Sequence, residues 1–230
     1  MLDINDLLES VGGGDKFDEK IVGIREFCES PSYLGLTIHL SDNQYDMIEN
    51  STQMLKREDL HYIFGEVEGE RRWHQTNSEI ICMLGKGSGK DECAAISCAY
   101  VVYQLLCLKQ PAAYYGKEPG DTIDIINIAI NAAQANNVFF AKFKRIIDKS
   151  PWFAGRYDPK AGQFNFDKNV TVYSGHSERE AFEGYNTIFV VLDEISGFAL
   201  EVKEGSEMSK TAGSIFKMYQ ASVSSRFSEF

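Results

Sequence analysis

The chain has 230 residues, of which 43% are hydrophobic and 25% are charged, and its formal net charge at pH 7 is −11. This composition is that of an ordinary globular protein, and the length suffices for one sizeable α/β core. The negative charge argues against a protein that coats nucleic acid over its whole surface, although it allows local contact through a few loops or one basic face. No apolar run approaches the ~20 residues needed to cross a bilayer, and the acidic N-terminus does not resemble a signal peptide.

The cysteines predict buried apolar positions rather than a zinc site or a disulfide framework. None of them forms a C-x-x-C pair, and small cysteine side chains in apolar segments are typical of a reducing compartment. The five residues are Cys28, Cys82, Cys93, Cys98 and Cys107.

Residues 1–35 are predicted to form an acidic N-terminal extension, followed by one domain over residues 36–230. Apolar positions within Leu2–Leu8 favour a short amphipathic helix, and the glycines at 12–14 then interrupt it. Such a segment could dock a partner, or it could be a frayed tail.

A helix is predicted to begin within Leu36–Asn50, because Ser41 or Asp42 can cap the apolar helical positions that follow. Gln44 lies in its first turn. Since an amide both donates and accepts hydrogen bonds, Gln44 can recognise the edge of adenine; a solvated surface glutamine is the alternative. The polar segment Met54–Asn77 then predicts one helix and a loop.

The chain is organised around Ile80–Glu92, in which an apolar run leads through three glycines to a lysine and then to the Ala/Cys/Leu-rich segment Cys93–Leu108. The run predicts a buried strand, and the later segment predicts a helix. Strand, glycine loop, lysine and helix together form a phosphate cradle, because glycines let backbone N–H groups converge on anionic oxygens and the helix N-terminus adds partial positive charge. The predicted phosphate-binding residues are Gly85, Lys86, Gly87, Ser88, Gly89, Lys90, Asp91 and Glu92.

Two positions in this stretch differ from the usual P-loop pattern. Leu84 stands where the first glycine is expected, and Asp91 follows Lys90 where a Ser or Thr usually holds magnesium. A carboxylate can hold the ion as well, directly or through water, because hard cations take oxygen ligands. The alternative is a glycine-rich turn in which Asp91 only caps the helix.

Downstream, strands alternate with helices, which predicts a mainly parallel central sheet covered on both faces. The predicted strands are Thr122–Asn131, Gln163–Phe166, Val170–Tyr173, Thr187–Glu194 and Tyr219–Val223. The second and third of these strands are predicted to form a hairpin. The segment from Pro151 to Lys168, in which the first strand of the hairpin lies, is otherwise turn-rich. A helix over Ala132–Lys149 has an outer side enriched in cations, which either contacts a DNA backbone or is a solvated face. These cations are Lys142, Lys144, Arg145 and Lys149.

The strand that ends in Asp193 and Glu194 completes the chemistry of nucleotide hydrolysis. Ligands bind outside the carboxyl ends of parallel strands, so both carboxylates are predicted to face the glycine loop. Asp193 would hold magnesium, and Glu194 would polarise the attacking water.

Over Leu36–Arg226 the sequence resembles the large terminase subunits of tailed bacteriophages, the ATPases that pump DNA into procapsids. Leu40–Gln44 is similar to the family's adenine-reading Q motif, Leu84–Asp91 to its deviant P-loop, and Phe189–Glu194 to its Walker B strand. The resemblance implies an α/β P-loop NTPase fold of the ASCE type, with ATP and Mg²⁺ as cofactors.

The resemblance also implies roles for residues outside these three motifs. Arg179 lies in a loop similar to the one that carries the family's arginine finger, supplied to a neighbouring subunit. A coupling motif is expected at Ser222, Ser224 and Ser225. Family members carry a C-terminal nuclease domain with clustered carboxylates, to which no segment here corresponds, so the sequence is expected to be an isolated motor domain or one whose remainder was removed.

The partners that the resemblance implies are double-stranded DNA, the portal protein and the small terminase subunit, with no membrane involved. A homo-oligomeric ring would form on the portal, in the cytoplasm of the infected bacterial host, and the protein alone would be a monomer. Two alternatives stay open. A helicase-like ATPase is disfavoured by Ile195-Ser196 after the paired carboxylates, and a nucleotide-binding switch without turnover has no need of Glu194.

Overall fold

The computed structural model describes residues 16–83, 85, 87–129, 135–176, 184–195 and 212–227. Within these ranges, no helix is long and apolar enough to span a membrane.

A sheet of five described strands forms the centre of the domain, in the order β2-β3-β4-β1-β5. The strands are β1 (Ile123–Ala129), β2 (Tyr157–Lys160), β3 (Gln163–Phe166), β4 (Val170–His176) and β5 (Thr187–Leu192). β1 pairs in parallel with both β4 and β5, whereas β2, β3 and β4 are antiparallel neighbours. Every residue of β1 is buried, as expected for a central strand with near-continuous apolar side chains.

Helices cover both faces of the sheet. They are α1 (Ile24–Glu29), α2 (Asp42–Ser51), α3 (Arg57–Phe64), α4 (Glu66–Gln75), α5 (Lys90–Cys107), α6 (Pro111–Tyr114), α7 (Ala141–Lys149) and α8 (Ala212–Arg226), and a π-helical turn (Ala135–Phe140) precedes α7. The long helix α5 is buried on nearly all sides in the larger core. On the opposite face, a smaller cluster joins Ile126 and Ile128 of β1 to Ile215 and Tyr219 of α8. The predicted α/β architecture is therefore confirmed.

The N-terminal residues that the structure describes belong to this core. Phe27 and Cys28 are fully buried, and Phe27 packs against Tyr100 and Tyr103 of α5 with ring centroids 5.2 and 4.7 Å apart. The prediction of an extension is therefore wrong for residues 16–35. The predicted amphipathic helix at the start of the chain lies outside the described residues.

Two predicted strands are absent where they were expected. Residues 80–83 have no regular structure, and the side chains of Ile81 and Met83 are 76% and 93% exposed. No strand in the described part of the chain pairs with them, and an apolar run cannot form a strand without a neighbour for its backbone groups. Tyr219–Val223 lies within α8, whose buried side chains Ile215 and Tyr219 are four residues apart, at helical spacing, and pack against β1 and β5.

The remaining predictions of secondary structure agree with the structure more closely. The helix capped by Ser41, the helix after the glycine loop and the antiparallel hairpin of β3 and β4 are all present. Met54–Asn77 contains two helices instead of one helix and a loop, and β2 lies in the turn-rich segment, where no strand was predicted before Gln163. Of the cysteines, Cys82 alone is exposed, so the prediction of burial holds for the other four.

Gly69 lies where α3 packs closely against α4, and this leads to a prediction about stability. A Cβ atom added at Gly69 would lie 2.6 Å from the backbone nitrogen of His61. Alanine favours a helix over glycine by about 1 kcal/mol, but overpacking against backbone typically costs about 1–3 kcal/mol. We therefore expect Gly69→Ala to lower the melting temperature by several degrees, as measured by circular dichroism.

Gly213, on α8, is the matched control for that substitution. It is also helical, and a Cβ atom there would have no neighbour within 4 Å. Gly213→Ala should leave the melting temperature unchanged or raise it. A Gly69→Ala protein as stable as the wild type would show that the two helices can separate without loss.

Candidate functional site

The glycine loop leads directly into the N-terminus of α5. Gly87 and Gly89 have φ angles of 82° and 80°, a left-handed conformation that residues with a Cβ rarely adopt. Gly89 is also the N-cap of α5, and Ser88 N–H donates to the carbonyl of Gly85 over 3.2 Å. These glycines therefore turn the chain so that Lys90 begins the helix. Leu84 and Lys86 lie outside the described residues.

Lys90 meets the carboxylates at the end of β5. Its Nζ atom lies 3.5 Å from Oδ1 of Asp193 and 3.2 Å from Oε1 of Glu194. The side chains are 35%, 16% and 47% exposed, respectively, so the cluster is open to solvent on one side. Asp193 is held by its backbone, whose N–H donates to the carbonyl of Ile128 on β1 over 2.8 Å. The structure thus brings together the lysine and the carboxylate pair that the sequence predicts to act together.

The charges of this cluster influence one another. Burial raises the pKa of the Asp193 carboxyl; the Lys90 ammonium opposes that rise, and the carboxylate of Asp91 adds to it. Desolvation would lower the pKa of Lys90, but the hydrogen bond to Glu194 and the charges of both carboxylates together raise it. Lys90 is therefore charged at neutral pH.

Glu194 has a backbone conformation that is costly for its residue type. Its φ angle is 52°, one of three positive values at non-glycine residues in the described part of the chain. A non-glycine residue in this region costs about 1–3 kcal/mol, and such residues cluster at functional sites. The strained turn after β5 directs the Glu194 side chain back towards Lys90.

The acidic residues after Lys90 are paired with cations of α7. Oδ2 of Asp91 lies 2.9 Å from Nζ of Lys142, and both carboxylate oxygens of Glu92 lie 2.8 Å from Arg145. The face of α7 that could have met DNA therefore neutralises the start of α5, and Lys144 pairs with Asp148 on its own helix. No sequence signal predicted either ion pair, because the partners are some fifty positions apart.

Gln44 lies beside the glycine loop. Its Nε2 atom donates to the carbonyl of Ser88 over 3.1 Å, and its Oε1 atom accepts from the backbone N–H of Ser41 over 2.8 Å, which completes a capping box. Both ends of the amide are thus engaged with protein atoms, and an adenine base would have to replace these bonds. Recognition of adenine by Gln44 stays a prediction.

The predicted coupling serines and the predicted arginine finger are not seen in the arrangement that the sequence predicts. The proposed coupling serines lie on α8, where Ser222 is half-buried and Ser224 is exposed, and not in and after a strand Tyr219–Val223 as predicted. Arg179 lies outside the described residues, so its role as an arginine finger stays a prediction.

The donor set of the site fits magnesium. Within the described ranges, no group of three or more His, Cys, Asp or Glu side chains is arranged as a metal centre. Mg²⁺, however, is usually bound by one or two carboxylates together with substrate phosphates and water. The Asp193 carboxylate already faces a cation, Lys90, and the Asp91 carboxylate is near enough to affect its pKa.

In this domain a lysine that follows a glycine loop meets carboxylates at the end of a parallel strand. This is the arrangement of a P-loop domain, the class of domain that binds nucleotide phosphates. The chain belongs to the family described as "Uncharacterized protein MJ0330, N-terminal P-loop domain", whose sequence profile matches residues 3–230. The comparison supports the P-loop class predicted from the sequence and gives no support to the terminase resemblance.

A relative from the archaeon Methanocaldococcus jannaschii, described as uncharacterized protein MJ0330, is 32% identical over 160 residues. The match covers 65% of this chain and 26% of the relative, so the chain corresponds to a minor part of that protein's length. No solved structure matches the chain.

Proposed function

We propose that the domain binds ATP with Mg²⁺ and hydrolyses the phosphoanhydride bond to its terminal phosphate, which releases ADP and inorganic phosphate. The observation that carries this proposal is the contact of Lys90 with Asp193 and Glu194 at 3.5 and 3.2 Å, across more than a hundred residues of sequence. A partly buried carboxylate for the metal, an exposed carboxylate for water and a lysine between them are groups that serve phosphoryl transfer to water.

Each group has a distinct task in this scheme. Lys90 leaves the carboxylates and contacts the outer phosphates, while the N–H groups of Gly87–Gly89 and the N-terminus of α5 hold the phosphate oxygens. Asp193 is then available to the metal, and Glu194 accepts a proton from the attacking water. When bound, magnesium would be held by Asp193, with Asp91 as a second candidate, and would neutralise charge that develops on the phosphates.

The finer proposal is that hydrolysis drives movement along double-stranded DNA, as in the large terminase subunits that the motifs resemble. It rests on those motifs alone, and the portal protein and small terminase subunit are partners only within it. The cations Lys142 and Arg145 of α7 are occupied by carboxylates, so contact with DNA would come from other residues.

Phosphate release by the purified chain tests both levels of the proposal. We expect Mg²⁺-dependent hydrolysis of ATP that is abolished by chelation, and stimulation by linear double-stranded DNA if the domain is a packaging-type motor. Stimulation by single-stranded DNA alone would favour a helicase-like enzyme. Binding of ATP without turnover would indicate a switch, and failure to bind nucleotide would overturn the proposal.

A further inference from the structure

Lys142 is the second lysine at the start of α5. Its Nζ atom lies 2.9 Å from Oδ2 of Asp91, the residue that directly follows Lys90. The side chains of Lys142 and Asp91 are 31% and 26% exposed, so the pair is partly shielded from water. Among the described residues, Lys90 at the start of α5 contacts Asp193 and Glu194, and Lys142 of α7 contacts Asp91.

Lys142 lies near an irregularity of the fold. The π-helical turn Ala135–Phe140 leads directly into α7. Such turns are frequent at functional sites. In the first turn of α7 Lys142 contacts Asp91, and about one turn later Arg145 contacts Glu92.

The two ion pairs between α7 and α5 differ in kind. A single guanidinium nitrogen of Arg145, Nη2, lies 2.8 Å from both oxygens of Glu92, so this pair involves the whole carboxylate and holds α7 against α5. Lys142 makes a single contact with one oxygen of Asp91 through a flexible stem, and its ammonium carries three donors. Lys142 can therefore change partners with little disturbance to the packing of the helices.

We propose that Lys142 is a second phosphate-binding lysine, which exchanges Asp91 for the terminal phosphate when a nucleoside triphosphate binds. This inference rests on the proposed function and adds Lys142 to the proposed ATP-binding site. A triphosphate brings more negative charge than its magnesium ion neutralises, into a site where acidic residues already surround Lys90. Metal binding would also draw the carboxylate of Asp91 away from Lys142, since hard cations prefer oxygen ligands.

The test compares the affinities of fluorescent ATP and ADP analogues, with Mg²⁺ and with EDTA. Loss of a charge-assisted contact to the terminal phosphate should weaken ATP binding roughly 10- to 100-fold in Lys142→Ala and leave ADP binding much less affected. The ratio of the two affinities is the decisive quantity, because a merely structural role would weaken both nucleotides equally.

Two further variants distinguish phosphate binding by Lys142 from an ion pair that only holds α7 against α5. Arg145→Ala also breaks an ion pair between α7 and α5, and its ATP-to-ADP ratio should equal that of the wild type. Asp91→Asn should strengthen ATP binding in EDTA by releasing Lys142, and Lys142→Ala should cancel that gain. If Lys142→Ala does not fold, Lys142→Gln, which keeps a hydrogen bond to Asp91 without the charge, takes its place.

The outcomes distinguish this inference from the proposed function. A wild-type chain that binds neither analogue overturns both. If the wild type binds both analogues and the ratio of ATP affinity to ADP affinity in Lys142→Ala equals that in Arg145→Ala, only the role of Lys142 is overturned. Lys142 would then serve, like Arg145, to hold α7 against α5.

Discussion

Replacing Lys90 with alanine is expected to reduce nucleotide affinity roughly 10- to 100-fold and to bring ATP hydrolysis to background. Two effects act in the same direction. The substitution removes the ammonium that meets the outer phosphates, and it leaves Asp193 and Glu194 without the cation that now lies within 3.5 Å of both. Titration of a fluorescent ATP analogue and phosphate release measure the two losses separately.

Lys144→Ala is the control for the loss of a lysine. Lys144 is half-exposed and pairs with Asp148 on its own helix, away from the glycine loop. Its removal should leave affinity and turnover near the wild-type values, because an exposed pair within one helix contributes little. Normal turnover in Lys90→Ala, with the control also normal, would refute the assignment of the P-loop.

Replacing Glu194 with glutamine is expected to leave ATP affinity nearly unchanged and to lower the rate of hydrolysis by ~10²–10⁴. Glutamine has the same shape and can still accept the hydrogen bond that Lys90 now donates to Glu194 over 3.2 Å. It cannot accept a proton from the attacking water. Single-turnover kinetics with saturating protein isolate this step from nucleotide binding.

Glu26→Gln controls for the conversion of a carboxylate to an amide. Glu26 is exposed on α1, and its replacement should change neither quantity. If Glu194→Gln lowers ATP affinity as much as it lowers the rate of hydrolysis, Glu194 is a ligand of the nucleotide or its metal and not the general base. An unchanged rate would place the base elsewhere in the protein.

The contact of Lys90 with Asp193 and Glu194 has a consequence for the order of binding. In this arrangement the lysine occupies the space beside the carboxylates that the metal would use. In the proposed function, binding of Mg²⁺ by Asp193 and movement of Lys90 to the phosphates would therefore be coupled, since each would remove a partner of the other. The proposed exchange of Asp91 for phosphate by Lys142 would follow the same logic.

Local patterns in the sequence were sufficient to predict much of this site. Glycines before a lysine at the head of an apolar helix, and paired carboxylates after an apolar strand, depend only on neighbouring residues and on the rule that ligands bind at the carboxyl ends of parallel strands. The capping box of Ser41 and Gln44 is local too. These features survive in the structure because short-range backbone geometry determines them.

Other features depended on contacts between distant segments, and only the tertiary structure decided them. Residues 80–83 are apolar enough for a strand but have no described strand beside them, and Tyr219–Val223 packs as a helix on β5 and β1. An ion pair is likewise invisible in sequence when its members are fifty positions apart, as Asp91 and Lys142 are. Strand pairing and charge pairing are non-local, and the fold supplies the partner that a one-dimensional pattern cannot name.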